Sequence, residues 1–217
     1  MNGYGFTLAG AQLMALGSGA LWWAEEALLC VSDLHLGKAE RVARRGGSQL
    51  PPYETRDTLT RLQDLLEATG ARQVVCLGDS FDDDAAARAL PEPERLWIAR
   101  LMAGRRWVWI EGNHDPGPVE LGGSHLAQLA LGPLTFRHIA EAEAAGEISG
   151  HYHPKARLRG TSRPAFLLDA RRLILPAFGT YTGGLRSHAD VLCSLMAPDA
   201  LAILTGPRPL PVPMPRH

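Results

Sequence analysis

The stretch WVWIEGNHD, residues 107–115, joins a run of apolar residues to a polar tip. Its apolar part predicts a buried β-strand. Gly112, Asn113 and Asp115 are residue types that form turns, so the simplest interpretation of the tip is an ordinary turn. This interpretation weakens if other predicted strands end in the same kind of cluster.

Three other predicted strands do end in such side chains. LLCVSDLH ends in Asp33 and His35, VVCLGD ends in Asp79, and GEISGHYH ends in His151 and His153. Ligand sites of α/β proteins gather beyond the carboxyl ends of strands. Residues two apart in an extended segment leave it on the same side, as in each of the two pairs. Four such tips are hard to explain as four turns.

The residue types at these tips are typical ligands of divalent metal ions. Carboxylate together with imidazole suits Mn, Fe or Zn, whereas a set of oxygen ligands alone indicates Mg or Ca. His138, on the predicted strand LTFRHI, would alone be interpreted as a half-buried histidine, but among these motifs it is expected to be a further ligand. A structural zinc site fits poorly, because such sites usually have four ligands with cysteine common among them.

Length and composition are those of a soluble globular protein. The chain has 217 residues, of which 46% are hydrophobic and 21% charged, and its net charge is -1. No global positive field therefore draws it to nucleic acid, and any such binding requires a local patch. Three cysteines without CxxC spacing favour a reducing compartment. Without a secretory signal or an apolar run of about 20 residues, we expect a cytoplasmic protein with no membrane contact.

The order of predicted elements indicates a layered α/β protein. Helices are predicted over 54–69 and about 92–103, whereas 37–52 is predicted to be a basic loop. The second half is predicted to be mostly strands, including VLCSLM at 191–196.

One domain is expected to span residues 1–205, followed by a proline-rich tail over 206–217. That tail has prolines at alternate positions, which excludes it from a sheet interior.

In chain order, D-x-H (33–35), G-D (78–79), G-N-H-D (112–115), the lone His138 and G-H-x-H (150–153) resemble the calcineurin-like metallophosphoesterase superfamily. The resemblance implies a four-layer α/β/β/α sandwich of two mixed sheets with flanking helices. It also implies two divalent metal ions, with manganese as the first expectation and iron, zinc or magnesium as alternatives. One ion would be held by Asp33, His35 and His153, the other by Asn113, His138 and His151, with Asp79 bridging.

The resemblance further implies hydrolysis of a phosphoester by a water or hydroxide between the two ions. His114 would not bind metal but would protonate the leaving oxygen or stabilise its charge. Asp82 stands where a group usually orients that histidine, and the neighbouring Asp83 is an alternative.

A closer resemblance rests on DLHLGK, GDSFDD, GEISGHYHPKARL and LILPAFGTYTGGL, which are similar to the ligase-associated DNA damage response endonucleases, the PdeM family. It implies a nucleic-acid phosphodiester as substrate, a setting in DNA repair, and functional association with a DNA ligase and a helicase. The chain departs from that family at Asp82, where histidine is common.

Basic residues follow the first and last motifs, and Lys38, Arg44 and Lys155 are candidates for binding flanking phosphates. A solvated charged loop is the alternative for each of them. Two rival functions remain open. A small-molecule phosphoesterase acting on cyclic nucleotides, dinucleotides or phosphomonoesters would have a deep, narrow pocket rather than an open basic groove. A non-catalytic scaffold is disfavoured, because every expected ligand and His114 are intact.

Overall fold

The computed structural model describes residues 2–46, 51, 53–115 and 121–216. Its first sheet has strands whose order in space follows their order in the chain. The first three pairings of this sheet are antiparallel and the last three are parallel. The strands are β1 (Gly3–Leu8), β2 (Ala11–Leu16), β3 (Leu21–Trp23), β4 (Leu28–Val31), β5 (Gln73–Leu77), β6 (Arg106–Ile110) and β7 (Ser124–Leu126).

The second sheet is also mixed. Its strands are β8 (Gln128–Leu131), β9 (Leu134–Arg137), β10 (Glu147–Ser149), β11 (Lys155–Leu158), β12 (Thr161–Leu168), β13 (Arg172–Ile174), β14 (Leu201–Leu204) and β15 (Leu210–Pro213). They lie in the order β15-β14-β12-β13-β10-β9-β8, and β11 pairs with β12 beside this path. Strand β10 is parallel to both of its neighbours, β9 and β13, so their carboxyl ends lie on one edge.

Five helices are present in the described part of the chain: α1 (Lys38–Arg44), α2 (Glu54–Thr69), α3 (Asp84–Ala89), α4 (Glu92–Met102) and α5 (Asp190–Leu195). The predicted helices over 54–69 and 92–103 are confirmed as α2 and α4. Helix α2 ends at Gly70, whose φ of 63° is a left-handed conformation that glycine adopts without strain. No helix in the described residues is both long and apolar enough to cross a membrane.

Three apolar clusters arrange these elements in four layers. Between the sheets, Cys30, Val75 and Val108 of the first sheet share a core with Phe136 and Phe166 of the second. The outer face of the first sheet packs on α2 and α4, and that of the second packs on α5. The predicted α/β/β/α sandwich of two mixed sheets is therefore confirmed.

Two short segments differ from their predicted conformations. Within residues 37–52, predicted to be a loop, Lys38–Arg44 forms helix α1. The segment 191–196, predicted to be a strand, lies mostly in helix α5, where Leu192 and Met196 are buried in one cluster. A spacing of four places both on one helix face, and periodicity alone does not separate a short buried helix from a strand.

The segment after residue 205 is not a free tail. Strand β15 pairs antiparallel with β14 as the edge strand of the second sheet, with Leu210 opposite Leu204 and Val212 opposite Ala202. Alternate prolines suit this place, because Leu210 and Val212 keep the N–H groups that a ladder needs and an edge strand tolerates proline. Beyond the strand, Met214 is buried and its backbone N–H donates to the Ala200 carbonyl at 2.8 Å.

Deleting residues 209–217 is therefore expected to destabilise the protein. Burying a methionine side chain contributes about 1.5–3 kcal/mol, and each 1 kcal/mol shifts the Tm of a domain of this size by roughly 2–4 °C. With the lost strand pairing added, we expect the Tm to fall by about 5–15 °C in a calorimetric scan. Arg208→Ala, an exposed change just before the strand, is the control and should leave the Tm unchanged. An unaltered Tm after the deletion would contradict the edge-strand assignment.

Candidate metal centre

The two sheets bring the predicted ligands to one edge of the sandwich. Adjacent parallel strands β4, β5 and β6 of the first sheet end there, as do parallel strands β9 and β10 of the second. The side chains that follow these strands are Asp33 and His35 (after β4), Asp79 (β5), Asn113 (β6), His138 (β9), and His151 and His153 (β10).

The first cluster consists of Asp33, His35 and His153. One donor atom from each lies within 4.8 Å of the others. Asp33 Oδ1 is 3.0 Å from His153 Nε2, and the Nε2 atoms of His35 and His153 are 3.4 Å apart. These are the residues predicted to hold one metal ion.

The second cluster consists of Asp79, His138 and His151, with donor atoms equally close. His138 Nε2 is 3.4 Å from Asp79 Oδ2 and 3.2 Å from His151 Nδ1. The same nitrogen is 2.9 Å from Oδ1 of Asn113, which brings the amide into the cluster. All residues predicted to hold the other ion therefore meet at one point.

Hydrogen bonds behind the clusters determine which ring nitrogens face inward. His35 Nδ1 is 2.8 Å from Asp82 Oδ1, and His138 Nδ1 is 2.8 Å from the carbonyl oxygen of Leu77. Both partners are acceptors, so each Nδ1 carries the proton and each neutral ring keeps its lone pair on Nε2. Such partners are what metal-binding histidines use to hold their tautomer and orientation.

The surroundings of the Asp33 carboxylate indicate whether a cation fits the first cluster. Its Oδ2 accepts hydrogen bonds from Ser32 Oγ at 2.5 Å and from the His151 backbone N–H at 3.0 Å. Its Oδ1 is buried and accepts no well-aligned hydrogen bond from the described residues, but it lies 3.0 Å from Nε2 of His153. Two ligand atoms this close together are costly without a proton or a cation between them, and a bound divalent cation would satisfy both. Together with inward-facing nitrogen lone pairs, this oxygen makes the clusters fit borderline divalent cations.

Backbone conformation at the site is unusual. Nine non-glycine residues of the described chain have a positive φ, and five of these nine are predicted metal ligands. Each such conformation costs about 1–3 kcal/mol and persists only where the surrounding structure enforces it. The five φ values are 52° at Asp33, 46° at His35, 45° at Asp79, 70° at His151 and 46° at His153.

Electrostatics at the second cluster keep the Asp79 carboxyl ionised. Burial raises the pKa of the Asp79 carboxyl, but the neighbouring His138 ring and the His114 backbone N–H, 2.9 Å from Oδ1, outweigh it and hold that pKa below its usual range. Burial lowers the pKa of His138, whereas Asp79 and Asp33 raise it, and the net shift is upward. Asp79 is therefore ionised at neutral pH and supplies negative charge to a cation.

Asp82 orients His114 through a different atom from the one expected. Its backbone carbonyl oxygen lies 2.8 Å from His114 Nδ1, whereas its buried carboxylate contacts His35, Lys38 and Arg41. The expectation that this carboxylate orients His114 is thus corrected, and the side chain instead positions His35. Asp83, the alternative, caps α3 by accepting from the Ala86 N–H.

Asp82→Asn is a test of this positioning role, because it keeps the carbonyl that holds His114 and removes the charge beside His35. We expect metal affinity, measured by calorimetric titration with Mn²⁺, to fall by roughly 10–100-fold, as for other residues that orient metal ligands. Asp83→Asn is the matched control and should leave the affinity unchanged. Equal affinities of Asp82→Asn and the wild type would refute the role.

The three predicted substrate-binding cations have different environments. Lys38 Nζ lies 3.7 Å from Asp82 Oδ1, close to the first cluster. Arg44 forms ion pairs with Glu40 at 3.0 Å and Asp83 at 2.9 Å, so two carboxylates compete with any phosphate for its charge. Lys155 Nζ donates only to the Thr182 carbonyl, at 3.3 Å, among the described residues. Lys155 is thus the cation best placed to bind an added anion.

Two residues at the site make contacts that the sequence did not predict. Ser32 hydrogen-bonds Asp33, and nothing in the sequence signals this. The Asp115 carboxylate accepts from the N–H groups of Ser80 at 2.7 Å and Phe81 at 3.1 Å, which ties the tip of β6 to that of β5. Burial and the charge of Asp79 raise the pKa of Asp115 to about 7 despite these donors. Its position directly after His114 was the available signal.

Comparison with known proteins agrees with this geometry. Residues 27–182 match the calcineurin-like phosphoesterase family, and the chain belongs to that family. It is therefore a metallophosphoesterase, and its class of reaction is phosphoester hydrolysis with divalent metal ions. The chain is similar to the crystal structure of the Pseudomonas putida nuclease MPE, at 30% sequence identity and a TM-score of 0.76. The match covers 97% of this chain and 100% of that chain. No curated protein matches significantly.

Proposed function

We propose that this protein is a two-metal phosphodiesterase that cleaves nucleic acid. The observation that carries the proposal is the meeting of two N/O donor clusters, in which the buried Asp33 Oδ1 lies 3.0 Å from His153 Nε2, beside a histidine outside both proposed ligand sets. In this proposal one cation is bound by Asp33, His35 and His153, the other by Asn113, His138 and His151, and Asp79 is shared. Bound divalent cations would lower the pKa of a water molecule and neutralise charge developing on the phosphate.

His114 supplies the acid in this proposal. Its ring lies edge-on to His35, with 5.2 Å between ring centroids, so it is next to the first cluster. The Asp82 carbonyl accepts from Nδ1 at 2.8 Å and so directs Nε2 to exchange protons with a substrate. Protonated at Nε2, His114 donates to the oxygen that leaves phosphorus. The chain thus separates metal binding from proton transfer.

The shape of the surroundings supports a polymeric substrate over a small molecule. A strongly basic cavity of about 670 Å³ lies beyond His153 and extends the site past the metal ligands. The similar protein from Pseudomonas putida is a nuclease, which favours a nucleic-acid phosphodiester here. A role in DNA repair, and association with a DNA ligase and a helicase, remain predictions from the family resemblance.

The test compares an activated phosphodiester with the matching phosphomonoester, in the presence of Mn²⁺ and then of Fe²⁺, Zn²⁺ or Mg²⁺. Nicked and single-stranded oligonucleotides are further substrates. We expect diester and oligonucleotide cleavage that requires added metal. Turnover of the monoester alone would assign the protein to the small-molecule phosphoesterases. No turnover of any substrate with two ions bound would refute the proposed substrates.

A further inference from the structure

A basic cavity of about 670 Å³ lies at the hairpin of β11 and β12. One wall is this hairpin, and the other is the segment 186–188 with Pro215. No acidic residue lines it in the described part of the chain. Its charged and titratable lining residues are Lys155, Arg157, Arg159, Arg186 and His188.

The cations of this cavity are not matched by carboxylates. Elsewhere, arginines such as Arg44 and Arg61 form ion pairs with acidic neighbours. Within the described residues, Lys155 and the three arginines of the cavity form none, and Arg157 donates only to a backbone carbonyl, that of Gly160 at 3.3 Å. Four unmatched positive charges in a chain of net charge -1 make a local field that attracts polyanions.

The cavity is joined directly to the metal centre. Lys155 follows His153 by two residues, so their Cα atoms are at most about 7 Å apart. The far wall is held to this segment by three backbone hydrogen bonds, from Leu185 to Tyr152 at 3.1 Å, from Lys155 to Leu185 at 2.8 Å and from Ser187 to Lys155 at 2.8 Å. A phosphate bound at Lys155 and a phosphate bound at the first cluster would therefore be near neighbours in one nucleic-acid strand.

The chemistry of the lining indicates phosphates rather than bases. Guanidinium groups bind phosphate oxygens in a bidentate manner. Among the described residues, no phenylalanine, tyrosine or tryptophan lines the cavity, so the large ring surfaces on which bases usually stack are absent from its lining. A second cavity, beside Asn113, is lined by Glu111, Glu141 and Arg137. Because Arg137 is ion-paired with Glu141, this arginine offers no unmatched positive charge to a polyanion. A negatively charged strand is thus favoured on the His153 side.

We propose that this cavity binds the phosphodiester backbone of the nucleic-acid strand that flanks the cleaved bond. Lys155, Arg157 and Arg186 bind successive phosphates without reading the base sequence. The proposal rests on the proposed nuclease function, because it assumes a strand at the metal centre. It adds to that function the path of the nucleic-acid strand across the protein. It also names the residues that determine a preference for polymeric over small diesters.

The test is the double variant Arg157→Ala/Arg186→Ala with Arg163→Ala as the matched control. Arg163 is an exposed arginine of the same hairpin, opposite Ala156 in register, on the other face from Arg157. In the metal-loaded enzyme, kcat/KM is measured for a single-stranded oligonucleotide and for a small activated diester. Binding of a labelled oligonucleotide is measured in parallel by fluorescence anisotropy in the metal-loaded His114→Ala background, where cleavage is slow.

Loss of two phosphate contacts should weaken oligonucleotide binding by on the order of 10–30-fold at 0.1 M salt and reduce the slope of log K against log salt by about 1.4. Turnover of the small diester should stay within about twofold, since one phosphate does not reach the cavity, and Arg163→Ala should change neither quantity. Unchanged binding and salt slope in the double variant would overturn the proposal. Failure of the wild type to cleave any diester would instead refute the proposed function, and the binding measurement would still decide whether the cavity holds nucleic acid.

Discussion

Asp79→Ala is expected to abolish both metal loading and catalysis, with kcat/KM falling by on the order of 10³-fold or more, equivalent to about 4 kcal/mol of transition-state stabilisation. The carboxylate is ionised, contacts His138, and accepts the backbone N–H of His114. Its removal deletes negative charge at the second cluster and releases the backbone of His114, the proposed catalytic histidine. The measurement is metal content by mass spectrometry together with diester hydrolysis.

Two further variants serve as controls for Asp79→Ala. Asp64→Ala removes an exposed aspartate of α2 and should leave metal content and rate unchanged. Asp79→Asn keeps the shape of the side chain and should lose metal nearly as fully, because charge rather than volume is what the cations require. An Asp79→Ala protein that still binds two ions per chain would contradict the assignment of Asp79 as a shared ligand.

His114→Ala is expected to keep both metal ions and to lose roughly 10²–10⁴-fold in kcat, the usual contribution of a general acid or base. Its ring is held through the main chain of Asp82 and its side chain belongs to neither proposed ligand set. The loss should be largest for an oligonucleotide, whose leaving alkoxide needs a proton, and smaller for a diester with a nitrophenolate leaving group.

Three outcomes distinguish the roles of this histidine. Retained metal with a loss that depends on the leaving group supports proton donation. Retained metal with equal losses on both substrates indicates that His114 stabilises charge without transferring a proton. Lost metal shows that it is a ligand, and the separation of metal binding from proton transfer would then be wrong.

Local sequence was sufficient to predict the central strands and the residues at their ends. An apolar run such as Trp107 to Ile110 is buried whichever of the two sheets it joins. The polar residues that follow it must then lie at the edge of that sheet. Helix α2 was predictable for the same reason, since its apolar residues repeat at helical spacing and Gly70 ends it. Both predictions depend only on residues that are close together in the chain.

Short segments and the details of the site were decided by tertiary contacts. Helix α1, helix α5 and strand β15 each have fewer than eight residues, so packing against the sheets determines their conformation rather than intrinsic propensity. The role of the Asp82 carboxylate was unpredictable because its partner His35 lies 47 residues away. The positive φ of Asp33 likewise has no signature in its residue type.

By itself, the sequence determined which side chains are delivered to the strand ends, since strand formation and burial follow from the local order of apolar and polar residues. Only the tertiary structure decided which atoms meet there. His153 and Asp33, 120 positions apart, approach to 3.0 Å because the apolar faces of two separate sheets pack on each other. That packing aligns two sets of strand ends at one edge, and the resulting distances depend on every residue in the shared core.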